Sequence, residues 1–402
     1  MPTLQGKFEI ETAQTVSTDE EITEPEVSLS LKEVEFYTNT AVSPGEYYQY
    51  STLSGDKKTL YNRMTDTISK SKYIIDINDL SLDEDQVLEV FQKVLADYPQ
   101  YFYVSKSCMV AYGTKKSKIR AVALRYTDGN TTDEFNKRMK LVKTADRSII
   151  NQKIESLKTK VEAVVSGING NMRDVLKEKI VHDYVAKTVA YDSYTAENIE
   201  NLGTTLPHSF DIYGAAVEGK AVCEGYSKLF QYLCYLVGIN SNQVAGISGG
   251  GNHMWNTVFI DGKWYQTDVT WDDGDDFIGY NYFNLTTEEI KSNHSIDTTN
   301  ISVPLCDSQT NSFDNVFAVL VNDTKKEPDN YENAVENVKA VGDKVLYIKF
   351  GENISVSSQI SYLKRRILRE SGNFGSYLKK RGVTPTNSVN QIGKYYTVGV
   401  EY

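Results

Sequence analysis

The sequence between Lys220 and Asp273 constrains the fold most, because it joins an amphipathic helix to a tight β-hairpin. After Cys223, apolar residues recur at intervals of three and four, which is the spacing of one buried helix face. Gly238 follows, and glycine suits the left-handed conformation that commonly ends a helix. The pattern therefore predicts a helix that begins at or just after Cys223 and ends before Gly238.

Cys223 lies at the predicted start of this helix. Unpaired backbone N–H groups and the positive end of the helix dipole favour a thiolate there, and the thiolate is the nucleophilic form of cysteine. Cys234 lies in the middle of the same helix on its apolar face, so we expect it to be an inert core residue. A single cysteine at a helix start is more often structural, so this feature alone leaves both interpretations of Cys223 open.

The dipeptide Asp261-Gly262 separates two β-prone runs and predicts a two-residue hairpin turn. A turn of just two residues fixes which residues of the two strands face each other. In that register Asp268 is the diagonal neighbour of His253 on the same sheet face, a separation of about 7–8 Å. A loop one residue longer would put the two side chains on opposite faces.

Cys223, His253 and Asp268 together provide a sulfur, a base and a carboxylate that orients the base, the three groups of an activated thiol nucleophile. Each also has a structural alternative. His253, two residues before Trp255, could be a half-buried packing residue, and Asp268 could accept hydrogen bonds from nearby backbone amides. Their joint occurrence in one block favours catalysis.

Three runs resemble the bacterial branch of the transglutaminase-like superfamily: AVCEGYSKLF, HMWNTVFIDGKWYQTDVTWDD and, upstream, HDYVAKTVAYDSY. The resemblance covers about residues 172–290. It implies an α+β class with a papain-like core, in which a helix bearing the cysteine packs on an antiparallel sheet bearing the histidine and the aspartate. It also implies Cys223 as nucleophile, His253 as base and Asp268 as the third member of the triad.

Two aromatic residues have candidate roles near the cleft. Tyr213 lies where bacterial members carry a tyrosine that donates to the oxyanion, although a packed aromatic residue is an equal alternative. Trp255 would flank the cleft, or fill the core. The zinc-binding Cys-x-x-Cys pairs of the deglycosylating relatives and the calcium sites of the animal enzymes are not found in this sequence, so we expect no metal and no cofactor.

Other polar residues have structural interpretations at this stage. His182, next to Asp183, is expected to be structural, and His208 is expected to be an exposed loop residue, with a position lining the cleft as the alternative. The acidic run from Asp272 to Asp276 has a high density of oxygen ligands, but it lacks the spacing of a calcium loop. A solvated acidic turn is therefore favoured there.

Charge and length limit the possible partners. The 402 residues carry a formal net charge of −11, which argues against a nucleic acid or an anionic membrane as partner. Residues 1–40 hold two lysines against nine acids, so most of the imbalance belongs to the N-terminal segment. We predict an acidic disordered tail over 1–45, an N-terminal α/β domain with a long brace helix over 46–168, the catalytic domain over 169–302 and a C-terminal α/β module over 303–402.

Composition also bears on location. No run of about eighteen apolar residues is present, as a transmembrane helix would need, and no signal peptide is visible. The acidic opening segment resembles a linker left after a signal or anchor is removed, and the 28 tyrosines suit an exported Gram-positive protein. We expect a secreted or cell-surface bacterial protein, with a cytoplasmic protein as the alternative.

Two classes of function remain open from the sequence. The first is a thiol enzyme, either a cysteine peptidase or a protein-glutamine acyltransferase, that acts on protein or peptide amide bonds through a thioester. The second is a surface binding or assembly module that keeps the transglutaminase-like fold without turnover. A basic run from Lys364 to Arg381 could bind an acidic cell-wall polymer, although a solvated helix face is the favoured interpretation.

Overall fold

The computed structural model of the chain describes residues 9–12, 42–70, 72, 74–112, 118–126, 147–199, 207–274, 277–299, 301–369 and 371–402. None of the helices in these ranges is both long enough and apolar enough to cross a membrane. The described elements mix helices and strands, which confirms the predicted α+β class.

The strands are β1 (Glu9–Thr12), β2 (Ile74–Asp76), β3 (Val104–Tyr112), β4 (Ile119–Tyr126), β5 (Ala190–Tyr191), β6 (Lys220–Ala221), β7 (Asn240–Ser248), β8 (Gly251–Ile260), β9 (Lys263–Thr267), β10 (His294–Asp297), β11 (Ala318–Val321), β12 (Val345–Phe350), β13 (Thr384–Ile392) and β14 (Tyr395–Glu401). The α-helices are α1 (Tyr48–Ser51), α2 (Gly55–Ser69), α3 (Glu84–Asp97), α4 (Arg147–Val165), α5 (Asp174–Thr188), α6 (Ser193–Glu197), α7 (Cys223–Leu236), α8 (Val269–Asp272), α9 (Thr287–Ile290), α10 (Phe313–Val316), α11 (Tyr331–Ala340), α12 (Val356–Tyr362) and α13 (Gly372–Lys380). Short 3-10 turns cover Pro44–Glu46 and His208–Phe210, and π-helical turns cover Gly214–Glu218 and Leu363–Ile367.

The chain folds into two compact units, each assembled from separate segments. The first unit comprises Met1–Gly167, Thr188–Thr257 and Asn293–Pro304. The second comprises Ile168–Lys187, Val258–Ser292 and Leu305–Tyr402. Shifts of composition along a sequence cannot reveal such interleaving, and the contiguous domain limits given above stay predictions.

A four-stranded sheet in the order β1-β3-β4-β2 forms part of the first unit. Strands β3 and β4 are antiparallel, and Val110 and Val122, which face each other, are fully buried. Helices α2 and α3 pack on each other and contact this sheet. Helix α3 begins with a capping box, in which Asp83 accepts the N–H of Gln86 at 2.8 Å and Gln86 accepts the N–H of Asp83 at 3.0 Å.

Strand β1 lies inside the acidic segment for which composition predicts a disordered tail. Its backbone pairs in parallel with β3, with Glu9 opposite Ser107 and Thr12 opposite Val110. Composition misses this strand because pairing at a sheet edge uses main-chain hydrogen bonds rather than hydrophobic side chains. The rest of that segment up to residue 41, and the beginning of the predicted brace helix before α4, lie outside the described residues.

Helix α7 and strands β7, β8 and β10 form the part of the first unit that contains Cys223. The predicted helix is confirmed, because α7 begins at Cys223 and Gly238 after its end has a φ of 87°. Strand β7 lies between β10 and β8 in the sheet, and α7 packs on β7. Asn256 of β8 donates its side-chain amide to the Ser227 carbonyl of α7 at 3.1 Å. This hydrogen bond fixes β8, the strand of His253, to the helix that begins at Cys223.

Strand β8 ends in the second unit, where a two-residue turn joins it to β9. Asp261 and Gly262 have φ values of 51° and 79°, and a tight hairpin turn of type I′ requires positive values at both positions. The rings of Phe259 and Trp264 lie 5.1 Å apart, and a two-residue turn places these two residues opposite each other. The predicted turn and register of the hairpin are therefore confirmed.

The second unit also contains a sheet in the order β11-β12-β14-β13. Strands β11 and β12 are parallel, and α11 connects them and packs on both. Strand β13 is a polar, largely exposed edge strand with an irregular register after Pro385, so it lacks the alternation of a half-buried strand.

Candidate active site

Cys223 is the first residue of α7 and is 2% exposed. Val222 before it is extended and makes no side-chain cap to the helix. The N-terminal N–H groups and the positive end of the helix dipole are therefore at Cys223, as the sequence predicts. Cys234 is fully buried in the same helix, and none of the four cysteines, all of which are described, forms a disulfide.

The residue after Cys223 joins the N-terminal sheet to the cysteine helix within the first unit. Glu224 is 2% exposed, and its Oε1 accepts hydrogen bonds from Lys106 of β3 and Lys228 of α7, each at 2.6 Å. Burial alone would raise the pKa of the Glu224 carboxyl, but the two ammonium groups hold it below its ordinary value. Two cations are thus fixed beside the turn of Cys223. The sequence gives no signal for Lys106, which lies more than a hundred residues before this helix.

Tyr213 lies directly before the π-helical turn that leads toward Cys223. Its N–H donates to Oδ1 of Asp211 at 2.8 Å, and the N–H of Gly214 donates to the same oxygen at 3.1 Å. Gly214 approaches the backbone so closely that a Cβ would lie 2.0 Å from the carbonyl oxygen of His208. The ring of Tyr213 also packs on Phe102, with centroids 5.6 Å apart. These contacts fix its position, and its role toward an oxyanion stays a proposal.

His208 is not the exposed loop residue that the sequence predicts. Its Nδ1 lies 2.7 Å from Oδ2 of Asp211, and its Nε2 lies 2.7 Å from Nζ of Lys153. Because an ammonium group only donates, Nε2 accepts from Lys153 and Nδ1–H donates to Asp211. The side chain is 21% exposed. The sequence prediction was wrong because Lys153 belongs to α4, far away along the chain.

His253 lies in β8 and is 7% exposed, while Trp255 is 1% exposed. Their rings lie 5.8 Å apart at an angle of 20°. The ring of His294, from β10, lies 5.5 Å from His253 and 4.9 Å from Trp255. Gly246 of β7 leaves room for the Trp255 ring, because a Cβ at position 246 would lie 2.7 Å from that ring. Sequence reasoning missed His294, which comes near His253 only through the strand order.

Asp268 belongs to the second unit and lies one residue after β9, not on the strand as predicted. It is fully buried and is the N-cap of α8, where its Oδ1 accepts the N–H of Trp271 at 3.1 Å. The Asp268 N–H donates to the Tyr282 carbonyl at 3.0 Å. The strand ends here because an aspartate that accepts a backbone N–H three residues later favours a helix start over continued pairing.

The acidic loop after Asp268 is not simply a solvated turn. Asp272 is 1% exposed, and its Oδ1 accepts the N–H of Asn281 at 2.8 Å and of Tyr282 at 3.1 Å. Its Oδ2 lies 3.2 Å from Nε2 of His182. The solvated turn was wrong for this residue, because a buried histidine and two backbone donors surround it. These contacts support the structural role predicted for His182.

Two imidazoles in the first unit, those of His253 and His294, are close enough for their nitrogens to be considered as metal ligands. A structural or catalytic zinc site needs three or four protein ligands. Asp275 and Asp276 of the acidic run lie outside the described residues. The expectation of no metal and no cofactor therefore stays a prediction.

Comparison with known families agrees with this local architecture. Residues 162–269 match the transglutaminase-like superfamily, and this segment contains Cys223, His253 and Asp268. The chain therefore carries a domain of the transglutaminase-like superfamily.

Similar proteins cover only parts of the chain. Kyphoscoliosis peptidase of Mus musculus is 25% identical over 131 residues, which is 28% of this chain and 19% of the mouse protein. Kyphoscoliosis peptidase of Homo sapiens is 34% identical over 67 residues, which is 14% of this chain and 10% of the human protein. The chain thus spans at most about a fifth of these curated relatives. A solved structure of a TGase, 18% identical, covers 42% of this chain and 52% of its own length, with a TM-score of 0.27.

Proposed function

We propose that the chain is a transglutaminase-like thiol enzyme that acts on protein or peptide amide bonds through Cys223, His253 and Asp268. The observation that carries the proposal is the position of Cys223, at the N-terminal, positive end of the dipole of α7 and inside a transglutaminase-like domain. The strand of His253 is hydrogen-bonded to this same helix through Asn256. The name of the kyphoscoliosis peptidases supports a peptidase as one form of the activity.

In the proposed mechanism His253 removes the thiol proton of Cys223, and the sulfur attacks the carbonyl carbon of a peptide bond or of a glutamine side chain. The N–H groups at the start of α7 donate to the resulting oxyanion, with the Tyr213 hydroxyl as a second candidate donor. His253 then returns the proton to the leaving amine or ammonia, and a thioester forms. Water resolves the thioester to an acid in a peptidase, whereas a lysine amine resolves it to a new amide in an acyltransferase.

Asp268 is proposed to orient His253. The register of the β8–β9 hairpin supports this role, because β9 ends one residue before Asp268 in the register that makes residue 268 the diagonal neighbour of His253. The carboxylate would accept from the imidazole nitrogen that does not face the sulfur and would stabilise the imidazolium that forms.

Mass spectrometry of casein incubated with the chain and a small primary amine tests this proposal. Peptide cleavage, glutamine deamidation and amine incorporation are scored separately, because they distinguish hydrolysis from acyl transfer. Cys223→Ala is expected to abolish every product. Cys234→Ala, which changes a buried cysteine of the same helix, is the matched control and is expected to keep them. Absence of all three products with the unchanged chain, or equal product from Cys223→Ala, would refute the enzyme.

The low exposure of Cys223, 2%, favours a second candidate, a binding or assembly module that keeps the fold without turnover. For such a module, Cys223→Ala would bind peptides as the unchanged chain does, and neither would form a product. Isothermal titration with casein peptides, run beside the mass spectrometry, separates the two candidates.

We further propose that the protein is secreted or attached to the cell surface and that its substrate is an extracellular protein or peptide. The acidic N-terminal segment and the many tyrosines support this location. Antibody labelling of intact source cells is expected to give a signal without permeabilisation, and a signal that needs permeabilisation would contradict the proposal.

A further inference from the structure

Two buried side chains of helix α5 hold both ends of the segment that carries Asp268. Glu178 and His182 lie one turn apart on the same helix face, and both are fully buried. The Thr267 hydroxyl donates to Glu178 at 3.2 Å, and Nε2 of His182 lies 3.2 Å from Oδ2 of Asp272. Asp268 therefore lies between two points at which α5 is hydrogen-bonded to its chain. All of these residues belong to the second unit.

A short hydrogen-bonded path leads from His182 to the backbone of Asp268. Asp272 accepts the N–H of Tyr282 at 3.1 Å. The carbonyl of Tyr282 in turn accepts the N–H of Asp268 at 3.0 Å. The N–H of Asp272 also donates to the Asp268 carbonyl at 3.2 Å. Both backbone groups of Asp268 are thus bonded either to Asp272 or to a residue that Asp272 holds.

The surroundings of His182 leave its ring little freedom to move. The ring stacks on Tyr280 with centroids 5.5 Å apart and meets the edge of Phe283 at 5.4 Å. Gly279 donates its N–H to the Asp272 carbonyl, and a Cβ at Gly279 would lie 3.2 Å from Oδ1 of Asp272. The carboxylate of Asp272 is therefore enclosed by backbone on one side and by the imidazole on the other.

The charges around His182 favour its doubly protonated form. Its Nδ1 lies 3.1 Å from Asp183 and its Nε2 lies 3.2 Å from Asp272, so both nitrogens face carboxylates. Burial alone would lower the pKa of His182, but these two carboxylates raise it to about 9. Burial raises the pKa of Glu178, one turn earlier, to about 8, and the imidazolium opposes this shift. Lys179 is a fully buried cation of the same helix, and it is bonded to Asp183 at 2.6 Å.

We propose that His182 is a positioning residue for Asp268: it holds Asp272 as a charged donor and, through Tyr282, sets the place of the carboxylate that orients the catalytic base. The catalytic consequence rests on the proposed function. The positioning itself concerns contacts within the second unit and can be measured without a substrate.

Hydrogen exchange of the Asp268 amide in the full chain, read by nuclear magnetic resonance, measures this positioning. His182→Gln removes the charged hydrogen bond between the imidazolium and Asp272. The loss of one hydrogen bond to a charged group is expected to lower the protection factor of the Asp268 amide roughly tenfold. Lys179→Met is the matched control, since it removes a buried charge from the same helix whose partners are Asp183, Asp343 and the Tyr280 hydroxyl rather than residues 267–272. Because the loss of this buried charge destabilises the second unit as a whole, Lys179→Met is expected to lower the protection factor of the Asp268 amide only as much as those of the other core amides of that unit.

The unchanged chain provides a second measurement that does not depend on a variant folding. Between pH 7 and pH 10 the protection factor of the Asp268 amide is expected to fall with a midpoint near 9, the pKa of His182. A constant protection factor over this range would overturn the proposal. A loss at the Asp268 amide of His182→Gln that is no greater than the loss at other core amides of the second unit, the pattern expected for Lys179→Met, would also overturn it, because it would show general destabilisation.

Turnover of casein then tests the catalytic consequence. His182→Gln is expected to lower kcat with little change of KM and to remove the alkaline limb of the kcat profile near pH 9. If the chain shows no turnover at all, the proposed function fails while the exchange result still decides the positioning. Changed exchange with unchanged kcat would show that His182 positions Asp268 without catalytic effect, and would overturn the catalytic part.

Discussion

Replacement of Lys179 by methionine probes the buried charge network of the second unit. Lys179 is fully buried in α5, and its ammonium group lies 2.6 Å from Asp183, 2.7 Å from Asp343 and 3.1 Å from the Tyr280 hydroxyl. Burial alone would lower the pKa of Lys179, but Asp183 and Asp343 hold it above its ordinary value. Methionine keeps most of the side-chain volume and removes only the charge.

The expected cost follows from what the substitution leaves behind. Removing one partner of a buried ion pair costs about 3–5 kcal/mol, because the remaining charge is buried without compensation. The side chains of Asp183 and Asp343 are 22% and 19% exposed, so water screens part of the repulsion between them. We therefore expect the lower end, about 3 kcal/mol, which corresponds to a fall in Tm of about 6–12 °C for a unit of this size.

Urea unfolding and thermal melts of the full chain measure this change. Lys263→Met is the matched control in the same unit: Lys263 pairs with Asp307 at 3.3 Å, but both side chains are more than half exposed. An exposed pair contributes about 0–1 kcal/mol. If Lys179→Met lowers the free energy of unfolding by less than about 1 kcal/mol, or by no more than Lys263→Met, the buried ion pairs of Lys179 do not stabilise the second unit as argued, and the reasoning is refuted.

Three further predictions concern other parts of the chain. Folding raises the pKa of His182 from 6.5 to about 9, so the stabilisation by this residue is complete below pH 6.5 and is lost as the pH rises through 9. The free energies of urea unfolding at pH 7 and pH 9.5 should therefore differ by about 2 kcal/mol from this residue alone. Equal free energies at the two pH values would contradict the prediction. Tyr226→Phe removes the buried hydrogen bond to the Val189 carbonyl at 2.6 Å and should cost about 1–3 kcal/mol in the same assay; a neutral result would show that the carbonyl finds another donor. Gly246→Ala would place a Cβ 1.9 Å from a backbone oxygen of β10, whereas a Cβ at Gly251 would meet nothing within 4 Å. Thermal melts should therefore show a marked loss of Tm for Gly246→Ala and none for Gly251→Ala, and similar Tm values for the two variants would contradict the close packing of β7 and β10.

Local features of the fold follow directly from the sequence. The start of α7 at Cys223 and the left-handed Gly238 depend on helix periodicity and on the backbone freedom of glycine. The hairpin at Asp261-Gly262 depends on two residues that accept a positive φ. Such features are decided by interactions within a few residues, and a sequence read in order displays them.

Other features depend on residues that only the folded chain brings together. The sequence places Asp272 in an acidic turn, yet its carboxylate is buried against His182, which belongs to a helix and lies ninety residues earlier in the chain. His208 reads as a loop residue until Lys153 of α4 is placed beside it. His294 of β10 and His253 of β8 lie on strands with β7 between them, and their rings come close because Gly246 of β7 leaves room for Trp255. Periodicity carries no information about such contacts.

The most direct test of the central claim, that Cys223 is an activated nucleophile, is alkylation of the full chain by iodoacetamide at pH 6, with the extent at each cysteine followed over time by mass spectrometry. Cys234 serves as the internal control, since it lies in the same helix and is fully buried. The account predicts that Cys223 is alkylated many times faster than Cys234 and that Cys223→Ala removes the fast phase. Equal and slow alkylation of the two cysteines would contradict it.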